Sequence, residues 1–377
     1  MKQQINGNNP IRVLHMAPIR MGGITELVLT LSEKIDFEKV QFDYLTFEDT
    51  FDQASERAKE AHSTIYRVDL QTIKNPIIRG FKKFFGIIKL VHSEQIKIIH
   101  INSSTPYEVL VAFAAKIGGA KKIIYHSHNS SYYPGQKLVK LSEVFKWFMP
   151  FVITDYLACS DAAARFMFPK KIVDAENYTV IKNGVDYDKH SFKPEVRTEL
   201  RKKYGLENNF VLGHVGRFNV QKNHEFLIDI FYEVYKHDNS ARLFLVGIGE
   251  TENQIKEKVK RLGIEKVVIF HGLSNEVNRL WNMLDVFVMP SLYEGLPVAG
   301  VEAQANGLPL IVSNTITQEL KITDAVEYIG LDEKTSKWYE VIERYNGYKR
   351  KNTRMEITNA GFNIDDTAIR LERIYLS

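Results

Sequence analysis

The sequence predicts an α/β protein of two domains, each built on a parallel sheet. Short β-branched runs alternate with helix-length amphipathic segments along the whole chain, the pattern left by successive strand–helix–strand units. The 377 residues exceed what one hydrophobic core ordinarily supports. A turn-rich stretch at 183–194, which carries neither apolar period, offers the place to divide them.

In the first half the strand segments are 12–16, 42–45, 98–101, 123–125, 155–158 and 178–181. In the second half they are 211–215, 242–246, 267–270, 285–289 and 310–313. Two sheets of similar size follow. After the second, Ile364, Ala368, Leu371 and Tyr375 recur at helical spacing and predict one amphipathic helix, which by its pattern alone could pack on either domain.

Hydrophobic content of 44% and charged content of 25% are those of a globular protein. The polar start and the lack of an apolar run near 18 residues predict a cytoplasmic protein without a signal or spanning helix. The single Cys159 follows a strand segment and reads as a buried core thiol; it excludes an internal disulfide and a multi-cysteine metal site. The net charge of +4 is unevenly spread, because twelve Lys/Arg against Glu94, Glu108 and Glu143 give residues 71–150 a net +9. There Arg79, Lys82, Lys83 and Lys89 mix with Phe81, Phe84, Phe85, Ile87 and Ile88, and Lys137, Lys140 and Lys146 with Phe145, Trp147 and Phe148. Such a mixture suits an anionic membrane face; it equally suits apolar residues packed inward beneath a solvated lysine face. No motif that reads nucleic acid accompanies it.

Candidate chemistry gathers where strands end. Glu294 and Glu302 lie eight residues apart, the first on a loop after a strand and the second about a turn into the next helix. Open α/β sheets bind ligands there, and two acceptor-only carboxylates suit a ligand rich in hydroxyls, such as a sugar nucleotide. Gly22 and Gly23 follow the first strand and open a helix, a place for phosphate or simply a tight turn. His126 and His128 end another strand; without a matching carboxylate or cysteine motif they suit a sugar hydroxyl better than a metal. Arg217 and Lys222, five apart on a loop, can converge on one anion, one as a planar fork and the other as a point charge. Gly247 sits in a Gly-X-Gly turn, weak support for any nucleotide.

Together, residues 216–223, the Glu294–Glu302 motif with its tail through Pro309, residues 180–186 and Gly22-Gly23-Ile24 resemble the retaining GT-B glycosyltransferases that include bacterial capsule and exopolysaccharide enzymes. The likeness runs from about residue 11 to 375. It implies two Rossmann-like domains facing across a cleft, the first at 1–188 with a returning helix at about 362–377 and acceptor-binding, the second at 189–361 and donor-binding. In the same terms Arg217 and Lys222 hold the donor diphosphate. Glu294 touches the sugar hydroxyls beside the backbone of Gly295, Leu296, Pro297 and Val298, and Glu302 binds the ribose. His128 sits near the sugar's C6 hydroxyl, with His126 the poorer match. Gly22, Gly23, Gly247 and Gly272 line the donor site. A nucleotide-sugar co-substrate is implied, UDP-sugar favoured, with no divalent metal and no other cofactor. The acceptor is a saccharide or lipid-linked saccharide for cell-surface polysaccharide. Ala299 and Gly300, where the family often has bulky apolar residues, put the local packing in question. Rival readings are a non-catalytic subunit supporting a partner transferase, a glycoside hydrolase using the two carboxylates, and a nucleotide-sugar epimerase.

Overall fold

A computed structural model of the protein describes residues 10–17, 23–50, 52–129 and 139–377, with their side chains apart from those of Gln53 and residues 139–142. Gly22, Ser130 and Lys137 therefore lie outside the described residues, as does the Lys140 side chain. The chain forms two compact units, Met1–Gly184 with Ile364–Ser377, and Val185–Asn363.

The sheet of the first unit holds β1 Ile11–Met16, β2 Val40–Thr46, β3 Ile65–Arg67, β4 Ile98–Ser103, β5 Lys122–Ser127, β6 Asp155–Ala158 and β7 Thr179–Val180. Their order is β3-β2-β1-β4-β5-β6-β7, parallel throughout. β4 is buried along its whole length, which is why it reads as an apolar run rather than an alternation. Helices Pro76–Ser93, Val109–Gly118 and Asp161–Met167 bury their apolar stripes on one face. The other face is covered by helices Gly23–Lys34 and Ile364–Leu376. In the latter, Ile364, Ala368, Leu371 and Tyr375 are all buried, while Asp365 and Asp366 in the first turn and Arg373 in the last complement the helix dipole. A Cβ on Gly184 would lie 2.7 Å from the Ile364 backbone, so only glycine lets the departing chain touch the returning one.

The second unit holds β8 Val211–Val215, β9 Arg242–Val246, β10 Val268–Gly272, β11 Val286–Met289, β12 Leu310–Ser313 and β13 Val326–Ile329. Their order is β10-β9-β8-β11-β12-β13, again parallel. All eleven strand segments read from the sequence are strands; β3 and β13 are additional, each at a sheet edge. Gly300 answers the packing question raised by the sequence. A Cβ there would sit 3.0 Å from Leu320 and 3.4 Å from Leu310, so its absence lets helix Val298–Ala305 lie against the apolar core. Cys159 is buried just past β6.

Candidate active site

Sheet order reverses between β8 and β11, so the segments leaving these neighbouring strands emerge side by side at the carboxyl end of the second sheet. They are tied together by backbone and amide bonds. The Leu292 N–H donates to the Gln221 carbonyl at 2.8 Å, Asn223 Nδ2 to the Pro290 carbonyl at 3.0 Å, and Gln221 Nε2 to the Tyr293 carbonyl at 3.0 Å. Asn223 adopts a left-handed φ of 54°, tolerable for asparagine, and Asn219 Oδ1 accepts from the Lys222 N–H at 3.0 Å. This frame places Lys222 Nζ 2.6 Å from Glu294 Oε1, while Gln221 Nε2 donates to Glu294 Oε2 at 3.2 Å. The two charged side chains are only 16% and 9% exposed, so their bond is charge-assisted and poorly screened. The Lys222 stem lies over Gly216, where a Cβ would come within 3.2 Å of it.

Arg217 behaves differently from its expected partner. Its side chain is 70% exposed and pairs with Glu250 at 3.1 Å, so the two cations turn to separate carboxylates rather than to a shared point. Gly247 N–H donates to the Gly272 carbonyl at 2.8 Å, which commits that amide within the protein. A Cβ on Gly247, at φ 136°, would lie 2.1 Å from the Gly216 carbonyl oxygen. Close backbone packing of the loops after β8 and β9 thus requires the glycine. Gly272 ends β10 at φ 79°. Gly295 and Leu296 lead to Pro297, which precedes the helix opened by Val298, and no side chain among the described residues caps that helix. Glu302, within the helix, places Oε1 3.9 Å from His190 Nε2.

In the first unit Gly23 opens helix Gly23–Lys34. His128 is buried, with Nδ1 3.2 Å from Asn183 Oδ1 and Nε2 3.1 Å from Asn102 Oδ1, and burial holds its pKa down to about 4. His126 lies beside it, ring centroids 4.2 Å apart. A cleft of ≈ 240 Å³ opens at this sheet's own reversal point, where β1 and β4 end, lined by Met16, Glu48, Asn102, Ser104, Thr105 and Glu108 among others.

Comparison with known proteins accounts for both halves. The family described as glycosyl transferases group 1 matches residues 196–341, and the one described as Glycosyltransferase Family 4 matches residues 21–189. EpsF of Bacillus subtilis (strain 168), whose name assigns it provisionally to the glycosyltransferases, is 32% identical over 345 residues, covering 88% of this chain and 87% of its own. The chain belongs to the group 1 glycosyltransferases. An Escherichia coli protein named UDP-Gal:alpha-D-GlcNAc-diphosphoundecaprenol alpha-1,3-galactosyltransferase is 29% identical over 80% of each chain. In fold, this glycosyltransferase superposes on the Anabaena protein HepE, crystallised with UDP and glucose, with a TM-score of 0.77 at 18% identity over 98% of this chain and 100% of that one. The architecture is that of GT-B enzymes.

Several of the glycosyltransferase's site contacts come from residues to which the sequence assigns no role. Gln221 and Asn223 lock the two loops, His190 stands beside Glu302, and Asn102 and Asn183 flank His128. Asn183 and Gln221 fall inside stretches singled out by pattern, so position marks them; nothing in the sequence marks Asn102.

Proposed function

We propose that this glycosyltransferase moves a sugar, with retention of anomeric configuration, from a nucleoside-diphosphate sugar to a saccharide or lipid-linked saccharide in cell-surface polysaccharide synthesis. The observation that carries it is the Lys222–Glu294 pair at the carboxyl end of the second sheet. Cleavage of the sugar–phosphate bond builds negative charge on the leaving diphosphate and positive charge on the anomeric carbon. Lys222, held in place by Glu294 and by the Asn219 cap on its loop, meets the first; Glu294, with one oxygen on Gln221, faces sugar hydroxyls. A fixed cation that gains more from the transition state than from the ground state lowers the barrier. Arg217, exposed and reorientable, adds a second cation once a diphosphate competes for it with Glu250. Glu302 is assigned to the ribose and His128 to the sugar. No divalent metal is invoked, since Lys222, joined by Arg217, can serve the leaving group.

The Escherichia coli relative, named for a UDP-Gal donor, supports UDP as the donor nucleotide, and the cleft at the end of β1 and β4 is a fitting seat for the acceptor. A place at the inner membrane face is part of this reading, supported by the helices over one face of the first sheet. Helix Pro76–Ser93 turns Ile87 and Val91 inward but leaves Ile77, Phe81 and Phe85 exposed beside Lys82 and Lys89, and Trp147 and Phe151 stand exposed on the same layer. Among the described residues no helix is long and apolar enough to cross a membrane; the contact proposed for these helices is interfacial.

A thermal-shift series with UDP, GDP, ADP and their sugars, each with and without EDTA, tests the donor. Stabilisation by uridine nucleotides, unaffected by EDTA and lost in Glu302→Ala, is expected; no shift with any nucleotide would sink the reading. The anomer formed in the first turnovers, followed by NMR, decides retention. Equal sedimentation with anionic and neutral vesicles would remove the membrane part.

A further inference from the structure

Four histidines meet inside the first unit. His15 on β1, His100 on β4, His126 on β5 and His128 just beyond it are all buried, with ring centroids of 4.7 Å for His15–His100 and 5.3 Å for His100–His126. Burial holds their pKa values down, His15 to about 3 and His128 to about 4, with His100 and His126 also well below the ordinary range. Each ring is neutral, and a neutral imidazole has one N–H: it donates from one nitrogen and accepts at the other.

That constraint makes the cluster directional. His128 Nε2 is 3.1 Å from Asn102 Oδ1, Asn102 Nδ2 3.3 Å from His15 Nδ1, and His15 Nε2 3.5 Å from Tyr375 Oη. Tyr375 Oη is 2.7 Å from His100 Nδ1, and His100 Nε2 is 3.2 Å from His126 Nδ1. The tyrosine hydroxyl has a single proton and the asparagine amide a donor end and an acceptor end; with the tyrosine proton given to one of its two neighbouring rings, setting one ring sets all the others. Running one way, every ring carries its proton on Nε2; running the other, with the Asn102 amide turned, every ring carries it on Nδ1. The Asn102 oxygen at His128 Nε2 favours the first direction, and the Asn183 oxygen at His128 Nδ1 favours the second. The two directions meet at His128.

We propose that Tyr375, on the C-terminal helix, is a positioning residue whose hydroxyl, acting through His15 and Asn102, fixes which ring nitrogen of His128 carries the proton. The tautomer determines whether His128 offers a sugar hydroxyl a donor or an acceptor from a given nitrogen. Only this last step rests on the assignment of His128 to the donor sugar.

The test is a long-range ¹H–¹⁵N spectrum of the full chain labelled at histidine, which reports the tautomer of each buried ring without substrate. The wild type is expected to show one tautomer at His128, and Tyr375→Phe a mixture or the opposite one, with kcat down roughly tenfold, the worth of about one net hydrogen bond. Leu371→Val, which loosens the same helix without touching the chain, is expected to lower Tm and leave the ring signals unchanged. Should Tyr375→Phe not fold, Asn102→Asp replaces it: a carboxylate accepts on both sides, so it holds the His15 proton on Nδ1 as well as the His128 proton on Nε2, and the Tyr375 hydroxyl, then donating to His15 Nε2, accepts from His100 Nδ1. Unchanged His128 signals in Tyr375→Phe, or, if Asn102→Asp stands in, a His100 ring protonated on Nε2, overturn the proposal. Changed signals with unchanged kcat uphold the chain and count against the role of His128 at the sugar.

Discussion

The carboxyl ends of the two sheets handle polar groups in opposite ways. At the end of β8 and β11 the groups are charged and partly open: Lys222 on Glu294, Arg217 on Glu250. At the end of β1, β4 and β5 they are neutral and enclosed: four histidines, two asparagines and a tyrosine joined by hydrogen bonds. The topology at the reversal point is the same, so sheet order alone does not set the chemistry. Pairing and solvent access do. Lys222 and Glu294, 16% and 9% exposed, keep their charges because each offsets the other, and Arg217, 70% exposed, because water reaches it, whereas a buried imidazole gives up its proton and keeps only its directionality.

The largest expected effect of this difference is on acid stability. A histidine whose folded pKa lies below its unfolded value near 6.5 contributes stability that is complete above that pH and is lost as pH falls toward the folded value, here about 3 for His15 and about 4 for His128. Each such ring removes up to about 1.4 kcal/mol per pH unit in that window. The first unit has four in its cluster; the second has His214 and His224, and His271 less deeply buried, also lowered by burial. Hydrogen exchange between pH 6.5 and 4 should therefore show β4 and β5 losing protection more steeply than β8 and β11. Equal slopes would break the contrast.

Next in size is catalysis at the charged end. Glu294→Ala is expected to cost roughly 10²–10³ in kcat. Lys222→Ala should cost about as much, and the double variant little more than either, because the two side chains act as a pair. Additive losses would mean that their contact has no catalytic meaning.

Gly247→Ala tests the frame rather than the charges. With its Cβ directed at the Gly216 carbonyl, the substitution should lower unfolding stability by about 1–3 kcal/mol, measured by denaturant titration. Smallest is Arg217→Ala. Its ion pair is exposed, so stability should change by less than about 0.5 kcal/mol, while kcat/KM falls roughly tenfold if the guanidinium reaches the diphosphate. A variant indistinguishable in both would leave Arg217 as an ordinary surface cation.

Much of this molecule can be read along the chain. Central strands such as β4 and β11 are buried runs whose β-branched residues announce them, and the helix at Ile364–Leu376 shows its period plainly. β3 and β13 escape because edge strands are short and only partly buried, and Ile65–Arg67 has no fully buried residue to leave a pattern. The glycine pattern at Gly247 is visible, but its cause, a carbonyl from another loop, is not.

The sequence by itself determined two parallel sheets, the positions of Glu294, Glu302, Arg217 and Lys222 at strand ends, and the amphipathic helix that closes the chain. Only the tertiary structure decided that Lys222 takes Glu294 while Arg217 takes Glu250, that Gln221 and Asn223 lock their loops, and that Tyr375 meets His100 across 275 positions of chain. The physical reason is that local pattern records which face of an element is buried, whereas partners are assigned by strand order, and strand order arises from long-range packing that no local period encodes.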